Sequence, residues 1–245
     1  MLYMKSSNSG TSPAARWLTV TVFAIAMAWV ESAVVFYLRT MIGRIDPYQT
    51  NPLPVVANLG TVELVREAAT LLMLLTVGIL AGDTWRTRLG FSAVAFGIWD
   101  IFYYVFLKFI CGWPRSPLDW DVLFLLPLPW WGPVLAPVLI ATLMIVWGTL
   151  VNSGQSEAGP PAREKSAWIL SLAGIAIALY VFMADSLEAM RGGESAVRKV
   201  LPEAFRWRLF GVGLVLMCAP IIHVVWHRPR HRLDLRPQLA KIQPR

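Results

Sequence analysis

The sequence predicts an all-α protein, a polytopic transmembrane helix bundle with six spans and an interfacial or re-entrant segment, rich in Trp and Pro, between spans 3 and 4. Of the 245 residues, 56% are apolar and only 15% are charged, which is too apolar a composition for an ordinary soluble domain. Apolar runs of about 20 residues, the length that a helix needs to cross a bilayer, recur along the chain. The basic residues behind the net charge of +7 lie mostly between these runs and at the C-terminus, so membrane topology explains them better than nucleic-acid binding.

Six runs meet the length requirement. In chain order they extend from Trp17 to Leu38, Val62 to Ala81, Leu89 to Ile110, Pro133 to Val151, Ala167 to Ala184 and Trp207 to Trp226. Lys5 and Arg16 precede the first run as they would in a signal peptide, but the run continues to Leu38 and predicts a retained helix. We expect residues 1–228 to form a single transmembrane domain and residues 229–245 a basic cytoplasmic tail that contacts anionic lipid.

The distribution of Lys and Arg predicts the orientation. With six spans both termini share one side, and that side collects 12 Lys and Arg residues against 9 on the other. Because basic residues are enriched in cytoplasmic connections, both termini are expected in the cytoplasm of a cell with a bacterial-type inner membrane. The basic tail supplies half of the larger number, so this orientation depends on it.

Ionisable residues within the predicted spans mark a candidate site. They fall toward the side opposite the termini, with Asp100 close to the midplane. They are Glu31 in span 1, Glu63, Arg66 and Glu67 at the start of span 2, Asp100 in span 3 and Asp185 at the end of span 5. Such a residue costs about 2.5–3.5 kcal/mol at a helix centre, so each is expected to face a partner, a water-filled cavity or the bundle interior.

Helical spacing places the span 2 residues on one face. Glu63, Arg66 and Glu67 are three and four residues apart, so Arg66 can pair with either glutamate while the other remains available.

Span 3 carries a polar stripe within GIWDIFYYVFLK, residues 97–108. Asp100, Tyr103, Tyr104 and Lys108 share a face, and the small residue Gly97 precedes them on it. The tyrosine hydroxyls can hydrogen-bond the carboxylate, and the glycine allows a neighbouring helix to approach.

The connection after span 3 reads CGWPRSPLDWDVLFLLPLPWWGPVLAP, residues 111–137. Its apolar run is too short to span a bilayer and is bracketed by tryptophans, as is typical of an interfacial or re-entrant segment. Trp113, Asp119, Trp120 and Asp121 are interpreted either as a lid over a cavity or as an interfacial anchor. The two aspartates are a weak cation signal only, because a hard cation needs several more oxygen ligands.

No metal site and no cofactor is predicted. His223 and His227 lie one turn apart, a spacing that can hold a transition metal or, singly, a haem, but no third ligand is evident. The alternative is a pair of interfacial histidines that leads into the tail. The sequence also contains no phosphate-binding glycine loop and no hydrolase nucleophile elbow.

Several functions remain open. The ionisable groups either only fix the helix arrangement or bind a ligand, ion or proton. The preferred hypothesis is a small transporter or binding protein whose acidic, aromatic-lined cavity opens to the non-cytoplasmic side and takes a small molecule, a cation or a lipid. One alternative is a membrane-embedded enzyme acting on a lipid or isoprenoid-like substrate, with Arg66 holding an anionic headgroup. Another is an accessory subunit with partners in a membrane complex.

Overall fold

The computed structural model describes residues 12–50, 59–125, 127–153, 161–197 and 199–226. These residues form helices almost throughout. The elements in chain order are α1 (Pro13–Met41), α2 (Leu59–Ala81), α3 (Trp85–Cys111), β1 (Trp120–Val122), β2 (Trp131–Pro133), α4 (Leu135–Asn152), α5 (Pro161–Ala189), a 3₁₀ turn (Met190–Gly192), α6 (Glu194–Val197), α7 (Trp207–Met217) and α8 (Ala219–Trp226).

The prediction of an all-α bundle with six long apolar helices is confirmed. Six helical stretches of the described chain are long and apolar enough to cross a membrane, and each covers most or all of one predicted span. The sixth is interrupted between α7 and α8 near Pro220, whose ring cannot donate the backbone hydrogen bond of a continuous helix. His227 and the basic tail lie outside the described residues.

Local signals set the helix ends. Ser12 accepts a hydrogen bond from the N–H of Ala15 at the start of α1, where proline follows it. A reciprocal pair of hydrogen bonds between Thr84 and Thr87 starts α3, and Gly112 ends it with φ of 74°, a left-handed conformation that glycine adopts readily.

Helix α3 lies at the centre of a four-helix group and packs against α1, α2 and α4. It approaches α4 closely, because glycines remove side chains from both sides of the contact. A Cβ at Gly148 would lie 2.3 Å from the carbonyl oxygen of Gly90. The N-terminal half of α1 joins this group through Trp17, whose indole N–H donates to the hydroxyl of Thr149 at 3.0 Å.

Between α3 and α4 the chain forms a short β-hairpin, which the sequence did not predict. The strands β1 and β2 are antiparallel, with Trp120 opposite Pro133, Asp121 opposite Gly132 and Val122 opposite Trp131. We call this end of the bundle the hairpin side; the C-terminal end of α1 and the N-terminal part of α2 meet the hairpin there.

Helix α5 belongs to a second group. It packs against α7 and α8, and no backbone of α5 comes close to α2, α3 or α4 in the described part of the chain. The first group touches the second mainly where α4 meets α8 and where β2 meets α5. The space left between α5 and the helices α2, α3 and α4 is the cavity described next.

Candidate functional site

The space between the two helix groups is a cavity of about 620 Å³. This volume lies within the roughly 300–1,000 Å³ typical of small-molecule sites. Side chains from α1 to α5 line it, together with the hairpin and the junction of α7 and α8. The lining is polar toward the hairpin side and apolar toward the opposite side.

Seven of the nine residues predicted from the spans line the polar part of this cavity. They are Glu31, Glu63, Arg66, Glu67, Asp100, Tyr103 and Tyr104. The other two are engaged elsewhere. The ammonium of Lys108 donates to the carbonyls of Gly112 at 3.3 Å and Pro114 at 2.7 Å, and Asp185 accepts from Arg206 at 3.0 Å.

Arg66 joins α2 to α1. Its guanidinium forms ion pairs with both Glu63 and Glu31, so it uses a partner on another helix that the spacing within α2 does not reveal. Glu31 also accepts a hydrogen bond from the hydroxyl of Thr70 at 3.2 Å. Because two carboxylates already hold the guanidinium, the charge of Arg66 is neutralised within the protein.

A second buried ion pair fixes the hairpin. Arg39 at the end of α1 donates to Asp121 of β1 at 2.7 Å, and the two side chains are 9% and 1% exposed. The guanidinium also stacks over the ring of Trp113, 4.3 Å from its centroid. Burial raises the pKa of the Asp121 carboxyl, while Arg39 and the N–H of Val122 oppose this shift. From the sequence, Arg39 was counted only among the basic residues that predict the orientation of the spans. Its spacing of eight residues from Glu31 places both on the same broad face of α1, which was the available signal.

Asp100 differs from the other acidic residues of the cavity. Its side chain is 8% exposed and lines the cavity, and within the described residues its Oδ2 atom has no hydrogen-bond partner. The hydrogen bond that the stripe predicts from Tyr103 or Tyr104 is absent at this atom. The side chains of Phe96 and Trp99 line the cavity beside it. A buried carboxyl oxygen without a partner is costly, which sets Asp100 apart from the paired acidic residues as a candidate binding group.

The tip of the hairpin crosses the cavity as a strap, which we define as residues 123–125 and 127–130. On one side both carboxylate oxygens of Glu67 in α2 accept from the N–H of Leu125, at 3.2 and 3.1 Å. On the other side the hydroxyl of Ser186 in α5 donates to the carbonyl of Pro129 at 2.6 Å. The strap therefore ties α2 to α5 across the gap between the two groups.

The four loop residues proposed as a lid or anchor lie at the base of the hairpin. Asp119 accepts backbone hydrogen bonds from Arg115 and Ser116, and Trp120 stacks on Tyr48 at 5.9 Å. Trp113 and Asp121 hold Arg39 as described. The two aspartates have separate partners, and the described residues contain no group of three or more His, Cys, Asp or Glu that could hold a metal ion.

We expect Glu67→Ala to loosen the strap. A hydrogen bond to a charged group contributes about 1.5–3 kcal/mol, so the Leu125 amide should exchange with deuterium about ten- to a hundredfold faster. Exchange measured by mass spectrometry in detergent micelles would report this. Glu188→Ala, which removes an exposed carboxylate from α5, is the matched control and should leave the exchange rate unchanged. Equal exchange in both variants would show that Glu67 does not hold the strap.

Arg44 lies at the rim of the cavity in the segment after α1. Its guanidinium donates to the carbonyls of Pro47 and Gln49, each at 3.0 Å. Burial lowers the pKa of the Arg44 guanidinium, and nearby Asp46 opposes the shift.

The apolar part of the cavity was not predicted from the sequence. It is lined by the side chains of Phe96, Ile140, Leu143, Met144, Trp147, Trp168, Ile175 and Leu179. At its far end Trp147 of α4 meets Trp168 of α5 edge to face, with ring centroids 5.5 Å apart. We call this pair the tryptophan floor.

The site thus combines an acidic, aromatic polar part, an unpartnered buried carboxyl oxygen and a long apolar chamber. Comparison of the chain with protein-family models, curated proteins and solved structures found no match.

Proposed function

We propose that this chain is a multi-pass membrane protein that binds, and as a transporter moves, a single-chain amphiphile in the cavity between its two helix groups. The observation that carries the proposal is the carboxyl group of Asp100, which lines the cavity where its polar part meets the apolar chamber and whose Oδ2 atom is buried without a partner among the described residues. A molecule with a polar head and a hydrocarbon tail satisfies both parts at once.

The charges of the polar part favour a neutral or cationic head that donates hydrogen bonds. Four carboxylates and three arginines among the described residues line the cavity, so acid is in excess. Arg66 and Arg39 are already paired with carboxylates, and Arg44 binds backbone carbonyls. An anionic headgroup would therefore find no arginine without an existing partner and would be repelled by the carboxylates. An amine or hydroxyl head, in contrast, can donate to Asp100.

The arrangement of the helices favours entry of the ligand from the bilayer. The backbone of α5 stands away from α2, and the strap bridges these two helices only at the hairpin side. A gap between two apolar helices gives a hydrocarbon chain a lateral path that never leaves the membrane. Water-soluble ligands have no need of such an opening.

We place the hairpin side on the non-cytoplasmic face of a bacterial-type inner membrane. The support is the excess of Lys and Arg on the side of the termini, counted from the sequence with the tail included. The tryptophans at the hairpin base, including Trp120, then lie at headgroup level, where the indole ring is favoured.

Asp100→Asn should weaken binding of a straight-chain primary alkylamine about ten- to a hundredfold, because a hydrogen bond to a charged partner is worth about 1.5–3 kcal/mol. Thermal stabilisation of the purified protein in detergent by the amine, titrated over concentration, measures the affinity. The alkyl phosphate of the same chain length should give little stabilisation. Asp185→Asn removes a carboxylate that pairs with Arg206 outside the cavity and is the matched control. The proposal is wrong if the amine stabilises neither the unmodified protein nor this control.

A membrane enzyme acting on the same class of molecule is the second candidate, and the same atom favours it. A carboxyl without a protein partner, facing an apolar chamber, is placed to exchange a proton with a bound substrate. Mass spectrometry of the lipids that co-purify with the protein and with Asp100→Asn separates the two functions. A binding protein loses the molecule in the variant, whereas an enzyme retains a precursor of altered structure.

A further inference from the structure

Two tryptophans lie at the apolar end of the cavity, the end away from the hairpin side. Trp147 and Trp168 are the lining residues nearest the C-terminal end of α4 and the N-terminal end of α5, and they contact each other at 5.5 Å. A much smaller pocket lies beyond them, and it shares Trp147, Trp168 and Pro220 with the main cavity. The tryptophan floor, together with Pro220, thus separates the chamber from this second pocket.

Residues on the far side of the tryptophan floor hold it in place. Arg86 of α3 pairs with Glu164 of α5 at 3.3 Å, and both residues line the smaller pocket. The ring of Trp85 lies 6.3 Å from that of Trp168. Edge-to-face aromatic pairs contribute beyond their area of burial, so the indoles are held in one arrangement.

The packing of α3 against α4 fixes the distance from Asp100 to the tryptophan floor. Gly97 in α3 lies against Ala141 in α4, and Gly90 lies against Asn152, so the two helices run antiparallel and Trp147 is level with Ala93. Seven residues of α3 separate that level from Asp100, which is about 10 Å of helix. A chain whose head binds Asp100 therefore reaches the indoles after a defined length.

We infer that Trp147 and Trp168 set the tail length of the amphiphile, so that the protein selects single-chain molecules whose tails end at the tryptophan floor. This inference rests on the proposed function, since it requires the head to bind at Asp100. It adds a selectivity that the polar part of the cavity cannot provide.

A homologous series of straight-chain primary alkylamines tests the inference. Each additional buried methylene should strengthen binding about fourfold until the tail meets the tryptophan floor, after which the affinity should stop rising. In Trp147→Ala and Trp168→Ala that limit should shift to longer chains. Thermal stabilisation in detergent, measured for each member of the series, gives the affinity profile.

A variant with the opposite expected effect distinguishes a change in cavity length from a loss of folding in the alanine variants. Ser171 is 8% exposed and lines the cavity one turn from Trp168, so Ser171→Leu should move the limit to shorter chains. Trp226→Ala, which removes an indole that is 79% exposed and outside the cavity, should leave the profile unchanged.

The outcomes separate the two proposals. The inference is supported if the chain-length limit shifts to longer amines in the alanine variants and to shorter amines in Ser171→Leu. A series that binds the unmodified protein with the same limit in all variants overturns the inference and leaves the proposed function standing. If no amine binds the unmodified protein, both are overturned.

Discussion

Arg39→Met should lower the free energy of unfolding by about 3–5 kcal/mol, which is the typical cost of removing one partner from a buried ion pair. The substitution leaves Asp121, 1% exposed, without its guanidinium. It also removes the cation stacked on Trp113. Because Asp121 belongs to β1, the hairpin should lose its attachment to α1 as well. Denaturant titration in detergent micelles, followed by tryptophan fluorescence, measures the loss.

Two further variants make the result specific. Asp83→Asn breaks the ion pair of Asp83 with Arg16, whose side chains are 77% and 27% exposed, and should cost no more than about 1 kcal/mol. Arg39→Met combined with Asp121→Leu removes both buried charges and should recover most of the stability. If Arg39→Met alone were as stable as Asp83→Asn, the buried ion pair would not be what holds the hairpin.

Gly97→Ala should destabilise the protein by about 1–3 kcal/mol through overpacking of the interface between α3 and α4. A Cβ at Gly97 would lie 2.5 Å from the carbonyl oxygen of Ala141 and 2.7 Å from the side chain of Ile145. The first of these atoms is backbone and cannot rotate away, so the two helices must separate. The same denaturant titration detects the change.

Gly211→Ala in α7 is the matched control for this substitution. A Cβ there would meet no atom within 4 Å, and replacing a helical glycine by alanine is otherwise favourable by about 0.5–1 kcal/mol. The control should therefore be neutral or stabilising. If both variants changed stability alike, helix propensity rather than the close approach of α3 and α4 would govern the effect.

The six long helices could be predicted because apolar length is a property of each segment by itself. The hairpin could not, because each strand has only three residues and its pairing depends on partners about ten residues apart. The break near Pro220 was also missed: a proline within an apolar run is compatible with either a kinked helix or two helices.

The acidic part of the site could be predicted from the chain, since charged residues in apolar spans are conspicuous. Their partners were harder to identify. Arg66 pairs with Glu31 on another helix, and Glu67 binds the backbone of Leu125 in the strap, neither of which follows from spacing within α2. The apolar chamber could not be predicted, because uniformly apolar spans do not show whether Trp147 and Trp168 meet lipid, a neighbouring helix or an open space.

The ties of the strap have a consequence for how this protein tolerates mutation. Glu67 and Ser186 bind a backbone amide and a backbone carbonyl, so the attachment does not depend on the side chains of the strap itself. Leu125 lines the cavity, and its replacement by another residue with a backbone N–H keeps the tie. The cavity-lining side chains of the strap can therefore change while its anchoring stays constant. Single substitutions here are expected to reshape the cavity with little loss of stability.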